Sequence, residues 1–115
     1  MRPAGDPDIR DPAARDDSYS EVPLRSTLQL AAGAATVHDL VPTISVPVMV
    51  VSGDHDGVVD PINSDTIAAS VAGPVTRLRL PNSAHVAALD LDAEQLCMKL
   101  LTWLVDLTDG SALAG

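Results

Sequence analysis

Val48-Met49-Val50-Val51-Ser52-Gly53-Asp54-His55-Asp56-Gly57-Val58-Val59-Asp60-Pro61 is the stretch on which the reading of this chain turns. From Val46 to Val51 the residues are apolar and mostly β-branched, without the alternation of a half-wet strand. Such a run suits a central parallel strand buried on both faces. Ser52-Gly53 ends it, and the next residues place three carboxylates and a histidine in a loop. Pro61 then opens a helix through about Ala72, with Ile62, Ile67, Ala68 and Val71 on one face, and Gly73-Pro74 stops it. A second strand follows from Val75 to Leu80. Thr76, Leu78 and Leu80 alternate with Arg77 and Arg79, so one face is expected to be wetter and the strand nearer an edge. Strand, helix, strand in this order is a βαβ unit, with a right-handed crossover by the general rule. The fold class expected is α/β.

Working outward, Pro42 to Pro47 is a short extended connector. Before it, Leu24, Leu28, Ala31, Ala32, Ala35 and Val37 recur at helical spacing between about Val22 and Leu40, and Pro23 suits a first turn. After the second strand, Leu96, Leu100, Trp103, Leu104 and Leu107 stripe a helix from about Asp92 to Leu107. Asp92 and Glu94 suit its N-terminal dipole. Residues 1–20 carry Pro3, Pro7 and Pro12 among Asp and Arg, and read as a loose tail or an irregular surface segment. Residues 109–115 read as a frayed tail. Two parallel strands are few for such a sheet, so the first strand is expected to lack a neighbour.

The 115 residues leave room for one small domain, and at 46% hydrophobic they can build a core. With one Trp, one Tyr and no Phe, that core must be Val, Leu, Ile and Ala. A net charge of −9 argues against nucleic acid or an anionic membrane surface as partner, because both repel it. Cys97 is the single cysteine, which excludes an intrachain disulfide and a cysteine metal cluster. Among Leu96, Met98 and Leu100 it reads as a buried or half-buried thiol. No apolar run approaches the length of about 20 residues that a membrane span needs, and a cytoplasmic protein is the default expectation.

The chemistry-bearing residues lie at the ends of the two strands. In open α/β sheets functional groups gather where loops leave the carboxyl ends of strands. Asp56 follows the first strand, and His85 follows the second within Asn82-Ser83-Ala84-His85-Val86-Ala87-Ala88-Leu89-Asp90. Both are therefore expected on one rim. A carboxylate that accepts from an imidazole N–H fixes its tautomer and stabilises the imidazolium formed when the ring takes a proton. Each residue has an ordinary reading too: Asp56-Gly57 is a common turn pair, and His85 a histidine satisfied by a neighbour. Taken together, in this order and at strand ends, they favour an acid–base pair.

These two motifs resemble those of α/β-hydrolases of the carboxylesterase and monoacylglycerol lipase type, over about Tyr19 to Leu107. In that family a strand ends in Gly-x-x-Asp followed by two aliphatics and a proline, as in Gly53 to Pro61. A later strand ends in Asn-Ser-Gly/Ala-His-Val followed by Leu-Asp, as in Asn82 to Asp90. The resemblance implies that Asp56 is the triad acid and His85 the triad base. It implies that residues 21–45 are a cap-like helical segment and connector, and residues 46–108 the C-terminal part of the hydrolase domain. It implies hydrolysis of a carboxylic ester, a monoacylglycerol or short acyl ester, without cofactor or metal. By the same analogy Val58, Val59 and Ile62 would help bury the acid or line an acyl pocket.

The departure is the nucleophile. In the family it lies in Gly-x-Ser-x-Gly on a strained turn, and no glycine of this chain has a serine two positions later. Ser83 precedes His85 by two, but the family gives that position no nucleophilic role. The chain therefore reads as the C-terminal portion of a serine hydrolase, expected to be inactive alone. A competing reading is a non-catalytic remnant or interaction domain, self-associating or pairing with an N-terminal half through the open sheet edge. A third is a haloacid-dehalogenase-like phosphatase fragment, with Asp54 and Asp56 as its acids. That motif, however, carries Thr where Val58 stands and needs a later lysine, and the only lysine, Lys99, lies inside the last helix. Among the remaining residues, His38 reads as a surface or helix-end residue and His55 as loop packing, and a metal site from Asp54, His55, Asp56 and His85 fits neither calcium nor zinc spacing.

Overall fold

A computed structural model describes residues 2–3, 8–15 and 21–109. Its regular elements are β1 (Arg2–Pro3), β2 (Glu21–Val22), α1 (Leu24–Leu40), β3 (Val48–Gly53), α2 (Ile62–Ser70), β4 (Val75–Leu80) and α3 (Ala93–Thr108), with single 3-10 turns at Val41–Thr43 and Ala87–Leu89. β1 and β2 make a short antiparallel pair. β3 and β4 run parallel in register from Val48 opposite Val75 to Gly53 opposite Leu80. Helix α2 makes the crossover between them and packs on both strands. The architecture is α/β, as the apolar run and its flanking helix predict. Tyr19, which opens the family resemblance, and residues 110–115, read as frayed, lie outside the described residues.

Among the described residues β3 pairs with β4 alone. This limits how far its apolar run is covered. Val50, Ser52 and Gly53 are buried, while Val48, Met49 and Val51 are half-buried, which corrects the expectation of a strand covered on both faces. The face carrying Val50 and Ser52 is closed by Arg77, one of the two residues read as wet. Its guanidinium donates to Asp65 Oδ1 at 3.0 Å, Ser52 Oγ at 2.7 Å and the carbonyls of Leu78 and Val50 at 2.8 and 3.3 Å. A planar fork with several donors satisfies that many acceptors at once, so the arginine lies against the sheet. Arg79 is exposed and reaches Asp54 at 3.1 Å.

The helices are also less covered than their stripes predict. Every residue of α1 is exposed. On α3, Leu96, Trp103 and Leu107 are half-buried, but Leu100 and Leu104 are exposed. Cys97 is exposed as well, not buried, on the same open side of α3 as Leu100 and Leu104. Among the described residues the buried hydrophobic side chains are those of Val50, Leu80 and Ala84. With them are four buried polar residues, Ser52, Ser83, Asp90 and Asp92, three of which surround the loop that carries His85.

Candidate active site

Two loops leave the carboxyl ends of β3 and β4 side by side, and their backbones hold each other. The N–H of Asp54 donates to the Leu80 carbonyl at 2.9 Å, and that of His55 to the Ser83 carbonyl at 3.0 Å. This approach requires glycine at position 53: a Cβ there would run into the carbonyl oxygens of Ser83 and Ala84. The Ser52-Gly53 pair thus does more than end a strand. It lets the acid loop and the histidine loop lie in contact.

Asp56 Oδ2 lies 3.0 Å from His85 Nδ1. The other oxygen, Oδ1, accepts the N–H groups of Val58 and Val59, both at 2.9 Å. Burial raises the Asp56 carboxyl, but the N–H of Val59, the His85 ring and the N–H of Val58 outweigh it, so its pKa lies below the ordinary aspartate value. An ionised carboxylate only accepts, so Nδ1 carries the proton that faces it. Nε2 is then the acceptor of the neutral ring. The Asp56 side chain is 10% exposed and that of His85 43%, so the acid is sheltered while the ring is open to a reacting molecule. The side chains of Val58, Val59 and Ile62 are exposed, while the backbone N–H groups of Val58 and Val59 hold the acid. His55 and His38 are exposed.

The histidine loop rests on two aspartates. Asp92 Oδ2 accepts from the Asn82 N–H at 2.7 Å and the Ser83 hydroxyl at 3.0 Å, and its own N–H donates to Ser83 Oγ at 3.1 Å. Asn82 Nδ2 adds a bond to Asp92 Oδ1 at 3.2 Å. Asp92 therefore precedes α3 without capping it; its carboxylate turns back to the loop. Asp90 accepts four backbone N–H groups, from Ala84, Arg10, Asp11 and Leu91, each at 2.8 Å. Burial raises both carboxyls, yet the donors around each outweigh it and hold both below their ordinary value. Sequence reasoning assigned Asp92 only to the helix dipole and gave Asp90 no role. A short-range signal existed, since both follow His85 within seven positions.

Part of the N-terminal segment also belongs here. Through Asp90, residues Arg10 and Asp11 are tied to the histidine loop, and the Val86 N–H donates to the Asp8 carbonyl at 3.2 Å. Over Asp8–Asp11 the irregular stretch is thus anchored rather than loose. Asp54, the first acid of the phosphatase alternative, is ion-paired with Arg79 at 3.1 Å. Among the described residues no group of three or more His, Cys, Asp or Glu is arranged to hold a metal ion, and no helix is long and apolar enough to cross a membrane. A groove of about 290 Å³ lined by Met49, Leu78, Lys99 and Trp103 shares no residue with this rim.

The chain belongs to the α/β-hydrolase superfamily, within its carboxylesterase and lipase type. It is 33% identical over 95 residues to a thermostable monoacylglycerol lipase of Bacillus sp. strain H-257, which covers 82% of this chain and 38% of that one. It superposes with a TM-score of 0.84 and 26% identity on the structure of a metagenome-derived lipolytic enzyme of the LipS and LipT pair, covering 91% of this chain and 43% of that one. The chain spans less than half the length of either relative. No family model matches it.

Proposed function

We propose that these residues supply the acid and the base of a serine ester hydrolase that acts on acylglycerols or short acyl esters. The observation that carries this reading is the contact of 3.0 Å between Asp56 Oδ2 and His85 Nδ1, at the carboxyl ends of adjacent parallel strands. With its Nδ1 proton held by Asp56, His85 takes the hydroxyl proton of a serine at Nε2. The serine attacks the ester carbonyl, and the imidazolium returns the proton to the leaving alcohol. Asp56 fixes the ring and stabilises its charged form. The serine and the oxyanion donors are supplied outside these 115 residues, so the chain by itself is inactive.

Two assays test this. The isolated chain is expected to give no turnover of a p-nitrophenyl ester, and turnover abolished by His85→Ala would overturn the claim of inactivity. A chimera in which this chain replaces its aligned segment of the Bacillus monoacylglycerol lipase is expected to hydrolyse monoacylglycerol. If the chimera folds and its activity survives His85→Ala and Asp56→Ala, the assignment of acid and base is wrong.

A second reading is favoured by the apolar surface left open: Leu28, Leu30, Met98 and Leu101 are all exposed, and β3 has one strand neighbour among the described residues. On this reading the chain is an interaction module that pairs with itself, or with an N-terminal half, through the free edge of β3. Sedimentation equilibrium of the isolated chain separates the two: a monomer at micromolar concentration argues against self-pairing.

A further inference from the structure

We propose that Asp8 is a positioning residue that clamps the acid loop to the histidine loop. One oxygen of its carboxylate, Oδ2, accepts the N–H of Gly57 at 2.7 Å and the N–H of His85 at 3.1 Å. Gly57 directly follows the acid, and His85 is the base itself. A single anionic atom therefore sits between the two backbones whose side chains meet at 3.0 Å. Hydrogen bonds to an ionised acceptor are shorter and stronger than neutral ones, so the pair holds its separation against independent movement of the two loops.

Asp8 is itself fixed. Its carbonyl accepts the Val86 N–H at 3.2 Å, and two residues further on Asp90 grips the N–H groups of Arg10 and Asp11. Both anchors fasten the clamp to the histidine-loop side, at Asp8 itself and just after it. The geometry of an acid–histidine pair tolerates little looseness, and a rim built from two separate loops has no covalent link to supply it. Asp8, far from both in sequence, adds a hydrogen-bonded link instead. This inference rests on reading Asp56 and His85 as an acid–base pair, and the following measurement separates the failure of one from that of the other.

The readout is the tautomer of the His85 ring, measured by nitrogen-15 NMR on the histidine-labelled chain at alkaline pH, where the imidazole is neutral. In the unaltered chain the Nδ1–H form is expected to be the major one, because Asp56 accepts that proton. Asp56→Ala is expected to abolish this preference. If it does not, the acid–base reading fails regardless of Asp8. Asp8→Ala is expected to lose the Nδ1–H form as the major species while Asp56 is still present. Asp8→Asn is expected to keep it, since one amide oxygen can take the place of Oδ2 for both donors. A role confined to anchoring the N-terminal segment would lower the melting temperature of Asp8→Ala and leave the tautomer unmoved, and that result overturns the proposal. Should Asp8→Ala lose its circular dichroism spectrum, Asp8→Ser, too short to reach both N–H groups, reads the same quantity. A wild-type tautomer in Asp8→Ser likewise overturns the clamp.

Discussion

Replacing Asp90 by alanine is expected to cost the chain about 3–5 kcal/mol of folding stability. Asp90 is 3% exposed, and its carboxylate gathers four N–H groups, those of Arg10 and Ala84 on Oδ2 and those of Asp11 and Leu91 on Oδ1. A buried donor stripped of its acceptor costs about 1–3 kcal/mol, whereas a donor that can turn to water loses about 0.5–1.5. Ala84 is buried, Asp11 is half-buried, and Arg10 and Leu91 are exposed. One loss of the first kind and three of the second sum to about 5 kcal/mol, reduced somewhat because the variant no longer desolvates a carboxylate. Asparagine does not repair the site. It offers one oxygen and one NH2, so two of the four donors would face a donor, and the loss is expected within about 1 kcal/mol of the alanine variant. Urea unfolding followed by circular dichroism at neutral pH measures both, with amide exchange at Arg10 and Asp11 as a local check. A loss below about 1 kcal/mol, or an asparagine variant as stable as the parent, would refute the reasoning. The pH dependence has a definite sign. The folded pKa lies below the ordinary value of 3.8, so the contribution is present in full above that value and lost as pH falls through the lowered one. Parent and alanine variant are therefore expected to converge in strong acid.

Gly53→Ala is expected to cost at least about 2 kcal/mol, because its methyl group meets backbone carbonyls that cannot swing aside; urea unfolding checks it, and a neutral substitution would mean the loops are not in contact. Arg77→Met is expected to cost about 1–2 kcal/mol, chiefly by stranding the buried Ser52 hydroxyl, since Asp65 is half exposed and keeps Arg79 at 3.6 Å. Arg77→Lys is expected to recover little of it, since an ammonium cannot span the same acceptors. In the lipase chimera, Asp56→Asn and His85→Ala are each expected to lower kcat by about 10³–10⁴, read by monoacylglycerol hydrolysis. The carboxyl carbon of Asp56, followed by NMR against pH, is expected to titrate below 3.8 and to move up in His85→Ala; an unchanged midpoint would break the link between the two side chains.

The strand order and the rim were legible because they depend on local signals. The apolar run ending at Gly53, the crossover helix closed by Gly73-Pro74 and the second strand at Val75 each announce themselves within a few residues. Asp56 and His85 follow from the rule that parallel strands deliver their loops to one rim. What the pattern overestimated was coverage. An apolar stripe states which face a helix or strand would bury, not whether a partner is there to bury it. Leu100, Leu104 and all of α1 are therefore exposed, and Cys97 with them. Arg77 errs the other way: alternation marks it as wet, but Asp65 and Ser52 stand where its fork can reach, so it lies against the sheet.

By itself the sequence determined the class of fold, the direction of the two strands and the two residues at their ends, because periodicity and chain breaks act over a few neighbours. Only the tertiary structure decided how that rim is held. Asp8 bonds to residues that lie 49 and 77 positions further along the chain, and Asp90 reaches back 80 to Arg10. A carboxylate satisfied by backbone N–H groups leaves no side-chain partner to read in the sequence. Its donors are supplied by the fold, and every residue but proline carries one.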